Sequence, residues 1–404
     1  MSRRESPRTL PAGARTTASG RATAGTRTAL VALAVCLATI VSGCGLFSNG
    51  PGPTPSTTSS SGKASPEAGT PTPSPTPAPT SRPVRSIVLV ADVGESQAGT
   101  ASAVAWTGVQ QVATDLGAAA SITTPKSVAD LSDEIRTAAT SGAGVVVTVG
   151  AAAAAATGAA ALANPTVQFF TLDQAIVADA PPNLHAIAFD ESEMGYLAGV
   201  IAASLSRTGI VGLVGDDDSS PATANYAAGF RSGALFADPA AIVTIVNAST
   251  PADPAKGRAA AAQLIAGKAD VVAARSGLSG IGAMRGTCAG NGEIVALDAD
   301  AWLLVPDIRS CLVTSVHKRY DVAIVAAIRG YADGEEATPV LLSDVAGGGI
   351  ALSDFYVTEP AALTARLDRV IGDMRNGPPR PTAVPTAIPT AVPTAVPSPV
   401  SSAS

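Results

Sequence analysis

Aromatic side chains are scarce in this chain, with 2 Trp, 5 Tyr and 7 Phe among 404 residues, 3% in all. Any core must therefore be built from Val, Ile, Leu and Ala, a composition that suits parallel strands buried on both faces and covered by small-residue helices. Charge is also sparse at 14%, and the formal net charge is −6. Lys and Arg are scattered through the body, no basic stripe is available to track a phosphate backbone, and no nucleic-acid partner is expected. There are two histidines, His185 and His317. Neither joins a Cys/His cluster with metal-ligand spacing, and neither neighbours a nucleophile motif, so no metal, no cofactor and no enzyme activity are expected. No apolar run reaches the ~20 residues of an ordinary spanning helix.

What is present is sharply partitioned. Arg3, Arg4, Arg8, Arg15, Arg21 and Arg27 precede an apolar run from Ala29 to Val41, which reads as the hydrophobic stretch of an export signal. The run ends in Val41-Ser42-Gly43-Cys44, which resembles the bacterial lipobox, and this resemblance implies a lipid on the Cys44 thiol. The alternative is that Cys44 sits in an uncleaved signal anchor. Residues 44–85 are rich in Pro, Ser, Thr and Gly and read as a tether, and 378–404 repeat a Pro-Thr-Ala-Val pattern expected to be a disordered tail. With 1–43 as signal peptide, two acyl chains or more would anchor the protein to the extracytoplasmic face of the cell membrane.

The body, 86–377, has the length of two domains at ~150 residues each. Apolar runs at Ile87–Asp92, Val145–Val149, Val167–Leu172 and His185–Phe189 alternate with helix-length stretches. A second series repeats the pattern at Ile210–Val214, Ile242–Val246, Val271–Ala274, Ile294–Leu297 and Leu312–Val316. This alternation predicts an α/β protein with two doubly wound parallel sheets of about five strands. Ligands of such sheets bind beyond the carboxyl ends of the strands, where Asp92, Gly150, Arg275 and Asp298 fall.

Several ordered motifs resemble the basic membrane protein family, the substrate-binding lipoproteins of nucleoside-type ABC importers. They begin with Val90-Ala-Asp92-Val-Gly94 and Ala105-Trp106-Thr-Gly108, continue through Gly195-Tyr-Leu-Ala-Gly199, Thr208-Gly-Ile-Val-Gly212 and Tyr226-Ala-Ala-Gly229-Phe230-Arg-Ser-Gly233, and end with Ser276-Gly277-Leu-Ser-Gly280, Ala296-Leu-Asp298-Ala-Asp300 and Ser315-Val-His-Lys318-Arg-Tyr-Asp321. The resemblance implies a type I periplasmic-binding fold whose lobes close on a ligand. Lobe 1 is expected at about 86–190 plus 318–335, and lobe 2 at about 191–317 plus 336–377. The resemblance also implies that Asp298 serves vicinal hydroxyls and that Lys318 is a cleft residue. Where the family commonly has Asp-Lys-Ser-Phe-Asn, this chain has Ala98-Gly99-Thr100-Ala101-Ser102, and Ala151 to Ala156 follow Gly150. One wall is therefore expected to lack a ring-stacking platform.

Asp92, Ser102, Gly150, Arg275, Gly277, Asp298 and Lys318 make up the expected ligand-contacting set. Each has a plainer reading. Asp92 is as suited to capping a helix, Asp298 or Asp300 to a solvated loop or a pair with a lysine, and Lys318 to a pair with Asp321. Arg275 fits an anionic ligand group or a solvated surface. Gly277, Gly280 and Gly282 lack the spacing of a dinucleotide or phosphate loop and fit close helix–strand packing better. Trp106 and Tyr196 read as core, and Phe230 is left open between core and pocket. Cys288 and Cys311 are expected either to form a disulfide after export or to be two small buried apolar groups.

The expected function is capture of a small polar ligand, nucleoside-like or sugar-like, and its delivery to ABC permease subunits. The competing expectation is a non-transport surface lipoprotein, a sensor or interaction module on a degenerate binding fold.

Overall fold

The computed structural model describes residues 80–377 apart from 96, 175–178, 218–220, 336–337 and 359. The signal segment 1–43, Cys44, the tether as far as residue 79 and the repeat tail 378–404 lie outside the described residues. None of the described helices is long and apolar enough to cross a membrane.

A run such as Val145–Val149 is buried along its whole length, so it can be satisfied only at the centre of a sheet covered on both faces. The first half of the chain builds such a sheet from β1 (Ser86–Val90), β2 (Ala119–Thr123), β3 (Val145–Val149), β4 (Gln168–Leu172) and β5 (Leu184–Phe189). The connecting helices are α1 (Ala101–Leu116), α2 (Val128–Thr140) and α3 (Ala154–Ala163). The Thr100 hydroxyl caps α1 by accepting from the Ala103 N–H, and Gly117, at φ 66°, closes its carboxyl end.

The second half repeats the plan with β6 (Ile210–Gly215), β7 (Ile242–Asn247), β8 (Val271–Ala274), β9 (Glu293–Asp298) and β10 (Leu312–Lys318). Its helices are α4 (Glu191–Leu205), α5 (Pro221–Ala237), α6 (Pro254–Ala266), α7 (Leu278–Ala289) and the short α8 (Ala301–Leu304). The chain then returns through α9 (Tyr320–Ala332), β11 (Val340–Ser343), β12 (Ile350–Leu352) and α10 (Ala361–Asn376).

The sheet orders are β11-β5-β4-β3-β1-β2 and β12-β10-β9-β8-β6-β7. All pairings are parallel except β12 on β10. These are the two α/β lobes of a type I periplasmic-binding fold. Each sheet has six strands where about five were expected. β2 carries no apolar run, and β11 and β12 are short edge strands, so none gave a clear sequence signal.

The expected boundaries need two corrections. Residues 336–343 were assigned to the second lobe, but β11 pairs with β5 and completes the first sheet, because Val340–Ser343 run in register with Ala186–Phe189. Residues 80–85 were assigned to the tether, yet they lie against the body. There the Arg82 N–H donates to the Ala332 carbonyl (2.7 Å), and the Arg82 guanidinium donates to the Glu335 carbonyl (2.9 Å) and sits over the Tyr331 ring.

Helix-on-helix contact, where helix–strand packing was expected for Gly282, accounts for the glycine-rich motifs. A Cβ at Gly199 or Gly233 would collide with the backbone of Phe230 or Tyr196, so α4 and α5 meet main chain to main chain. Gly282 lies against the Pro254 backbone in the same way and joins α7 to α6. Phe230 is wholly buried and belongs to the core. Tyr196 and Trp106 are partly buried and pack against that core.

Candidate functional site

Both sheets end their strands at a shared cleft, a cavity of about 690 Å³ bordered by residues of the two lobes. That volume is within the ~300–1,000 Å³ usual for small-molecule sites.

The second-sheet wall is an ion network centred on Asp298, the last residue of β9. Its Oδ2 accepts from Arg275 Nε (2.8 Å), its Oδ1 accepts from the Tyr226 hydroxyl, and Lys318 Nζ lies 3.5 Å away. Arg275 reaches on to Asp216 (2.7 Å) and lies over the Tyr226 ring. Lys318, the last residue of β10, donates across the cleft to Asp173 (2.7 Å), which also accepts from the Tyr320 hydroxyl. Asp173 and Asp298 both have positive φ, 54° and 77°. Asp tolerates that backbone better than most residues, and such strain concentrates at working sites.

These contacts set the protonation states. Burial alone would raise the Asp298 carboxyl, but Arg275, Lys318 and the hydrogen bonds from Tyr226 and Arg275 hold it well below the usual carboxylate range. Burial opposes the Lys318 charge, but Asp173 and Asp298 hold its ammonium well above the ordinary lysine value. The hydroxyls of Tyr226 and Tyr320 are pushed well up, first by burial and then by these carboxylates, so both remain donors.

The acids that follow the strands of the first sheet are less well compensated: none has an ion pair among the described residues apart from Asp173, although Glu191 feels the Lys318 charge. Among the described residues Asp92 accepts only from the Val93 N–H (2.7 Å), and Glu95 Oε2 accepts from the Ser102 N–H (3.0 Å) and hydroxyl (2.8 Å). Glu191 accepts one long bond from Asn225 (3.5 Å). Burial pushes all three carboxyls up. Gly150 has φ 88°, and any Cβ there would strike the Asp92 carboxylate. Glycine is therefore required twice over at this strand end.

Of the expected residues, Asp92, Gly150, Arg275, Gly277, Asp298 and Lys318 line the cavity. Ser102 does not. It is fully buried, its hydroxyl is spent on Glu95 and on the Asp92 N–H (2.9 Å), and it acts only by holding those two residues. Lys318 pairs with Asp173 and Asp298, while Asp321 pairs with Arg319 (2.7 Å). Arg275 is not a solvated surface residue, and its guanidinium is already taken by two carboxylates. The sequence reading missed Glu95, Asp173, Glu191, Asp216, Tyr226 and Tyr320. Asp173 and Asp216 directly follow β4 and β6, so the strand-end rule could have found them, and Tyr226 opens a motif already noted. Glu95 and Glu191 carried no distinguishing signal.

The rings on the cavity wall are Phe189 and Tyr320, packed edge to face at 5.1 Å, with Lys318 over Phe189. The segments around Thr100 and Ala151 contribute none. Outside the cleft, Cys288 and Cys311 are joined in a disulfide with Cα atoms 5.6 Å apart, which ties α7 to the start of β10.

The sequence profile of the ABC transporter substrate-binding protein PnrA-like family matches residues 87–369, nearly the whole two-lobed body. The chain belongs to this family. Among curated relatives, it is similar to basic membrane protein A of Borreliella burgdorferi, 32% identical over 37% of this chain and 44% of the relative. It is also similar to basic membrane protein D of the same species, 30% identical over 34% of this chain and 40% of the relative. The matched segments span half or less of the curated relatives' lengths.

Solved structures share the fold at lower identity. A protein described as a transcriptional activator of the comK gene from Bacillus halodurans aligns over 74% of this chain and 99% of its own, with TM-score 0.61 and 18% identity. An ABC transporter solute-binding protein from Conexibacter woesei aligns over 74% and 99%, with TM-score 0.59 and 22% identity. At those identities only the architecture of this substrate-binding family member is shared.

Proposed function

We propose that this protein is the membrane-anchored, extracytoplasmic solute-binding component of an ABC importer. In this reading it captures a small polar ligand, such as a nucleoside or sugar derivative, by closing its lobes. The observation that carries the reading is the Lys318 bridge. One ammonium from the end of β10 joins Asp298 in the second lobe to Asp173 in the first, directly beside a cavity of ligand size. Such a group senses the separation of the lobes, and a ligand that favours the closed arrangement shifts the population towards it. Permease subunits would read that closed form. Tyr226 and Arg275 hold Asp298 in place, so one lobe offers a preformed polar wall on which the ligand first docks.

The lipid anchor belongs to the same proposal and rests on the lipobox-like Val41-Ser42-Gly43-Cys44. Metabolic labelling with a radioactive fatty acid should mark the wild-type chain in the membrane fraction, and Cys44→Ser should release an unlabelled chain.

Ligand capture is tested by a thermal-shift screen of the purified chain against purine and pyrimidine nucleosides, free bases, ribose and sugar derivatives. A ligand at 100 times its dissociation constant adds ~2.7 kcal/mol of stability. The expected result is a clear shift that Asp298→Asn abolishes. A folded chain that responds to none of them would turn the assignment towards the second reading, a sensor or interaction module. One observation favours that alternative: on the first-sheet wall, no ring comes from the segments where the family commonly places a stacking platform.

A further inference from the structure

The cleft holds more negative charge than it neutralises. Arg275 is committed to Asp216 and Asp298, and Lys318 to Asp173 and Asp298, so two cations already answer three carboxylates. Asp92, Glu95 and Glu191 line the same cavity, and among the described residues none of them forms an ion pair. All three follow strands of the first sheet. They form one electrostatic unit with the network: Asp173 acts on Asp92 and Glu95, and Lys318 and Asp298 act on Glu191.

Among the described residues an anionic ligand has no free cation to meet here, since the guanidinium and the ammonium are both spent. A neutral polyol would leave the three acids as they are, partly desolvated and without an ion pair among the described residues, which is a standing cost to the folded chain. A metal ion is poorly served, because no group of three or more His, Cys, Asp or Glu among the described residues is placed to hold one. The remaining chemistry that answers this wall is an organic cation.

We propose that the cognate ligand carries a protonated amine, seated against Asp92, Glu95 and Glu191, while its polar remainder faces Asp298 and Lys318. The inference rests on the solute-binding reading above and narrows its ligand class. Glu95 is held for this role by Ser102, which spends both its N–H and its O–H on one carboxylate oxygen. Charge-assisted hydrogen bonds of this kind are roughly twice as strong as neutral ones, so the amine should dominate selectivity.

The test is calorimetric titration of the detergent-solubilised full chain with three kinds of probe. These are neutral ligands (glucose, adenosine), their amine counterparts (glucosamine, 5′-amino-5′-deoxyadenosine) and an anionic counterpart (glucose 6-phosphate). The expected result is at least tenfold tighter binding of an amine than of its neutral partner, with the preference lost in both Glu95→Gln and Glu191→Gln while circular dichroism shows both variants folded. Binding of neutral or anionic probes equal to or tighter than the amines would overturn the charge inference and leave solute capture standing. An amine preference that survives in both Gln variants would overturn the assignment to these carboxylates. Silence from every probe with a folded chain would count against solute capture itself, and the charge inference would go with it.

Discussion

The two sheets follow one plan and arm it differently. Aligned by strand order, the residues at or just beyond the carboxyl ends pair as Asp92 with Asp216, Gly150 with Arg275, Asp173 with Asp298, and Asp190 with Lys318. The acids recur at equivalent places, even to the positive φ shared by Asp173 and Asp298. The cations occur only in the second lobe, where the first has glycine and aspartate. A strand end in this fold reliably presents a polar group to the cleft, and whether that group is compensated decides its role. The second lobe has a self-satisfied network that fixes geometry. The first has partners for Asp173 and Asp190 but leaves Asp92, and Glu95 beside it, without an ion pair among the described residues.

The sharpest way to break this comparison is to delete one acid from each lobe. Asp298→Ala strands Arg275 and Lys318 near-buried and short of a counter-charge, and removing one member of a buried pair costs about 3–5 kcal/mol. Asp92→Ala removes a group with no ion pair and should change stability by no more than about 0.5 kcal/mol. Urea unfolding midpoints of the two variants measure the contrast directly. Equal losses would mean that the lobes are not differently built.

The second lobe is also the one that is cross-linked. The Cys288–Cys311 bridge closes a sequence separation of 23, for which chain-entropy arguments give about 3 kcal/mol. Reduction, or Cys288→Ala with Cys311→Ala, should lower the free energy of unfolding by about that amount and expose β6 to β10 to hydrogen exchange sooner than β1 to β5. Uniform loss of protection across both sheets would show that the lobes unfold as one unit.

The strands and part of the cleft wall are legible in the sequence, and the remainder has a definite physical reason to be hidden there. Central strands such as Val145–Val149 declare themselves because burial on both faces demands unbroken apolar runs. β2, with Ala119 to Ser121 exposed, has no such requirement and leaves no trace. At the site, the strand-end rule located Asp92, Gly150, Arg275 and Asp298 on the cavity wall. It could not say that Arg275 was already occupied, because the partners that occupy it lie 59 and 23 residues away in sequence. The Lys318–Asp173 contact spans 145 residues. Ser102 failed for the opposite reason. Its polarity was visible, but its complete burial behind Glu95 was not.

A smaller effect tests the only glycine among these paired positions. Gly150→Ala forces a Cβ into a left-handed backbone and against the Asp92 carboxylate. Strain of this kind costs about 1–3 kcal/mol. Asp92→Ala in the same chain should recover part of the loss by removing the collision but not the φ penalty. Full recovery in the double variant would show that the backbone conformation carries no cost of its own.

The finest probe of the comparison is the sign of a pH dependence. Burial raises the folded-state pKa of Glu191, so its contribution to stability is fully present below the unfolded value of about 4.3 and is lost as pH rises through the folded value. Asp298 runs the other way: its folded pKa is depressed, so its contribution is present above the unfolded value of about 3.9 and is lost as pH falls. Glu191→Gln should therefore stabilise the ligand-free chain at neutral pH, by about 0.5–2 kcal/mol as such relief commonly gives. The gain should vanish near pH 3, about one unit below the unfolded value, where the wild-type carboxyl is protonated in both folded and unfolded states. Urea midpoints at the two pH values decide it. A gain at neutral pH means that the chain carries Glu191 at a standing cost to its own fold, as a group kept for something it binds should behave. A loss at neutral pH means that Glu191 is compensated within the protein, and the acids around the cleft would then be as self-satisfied as the Asp298 network.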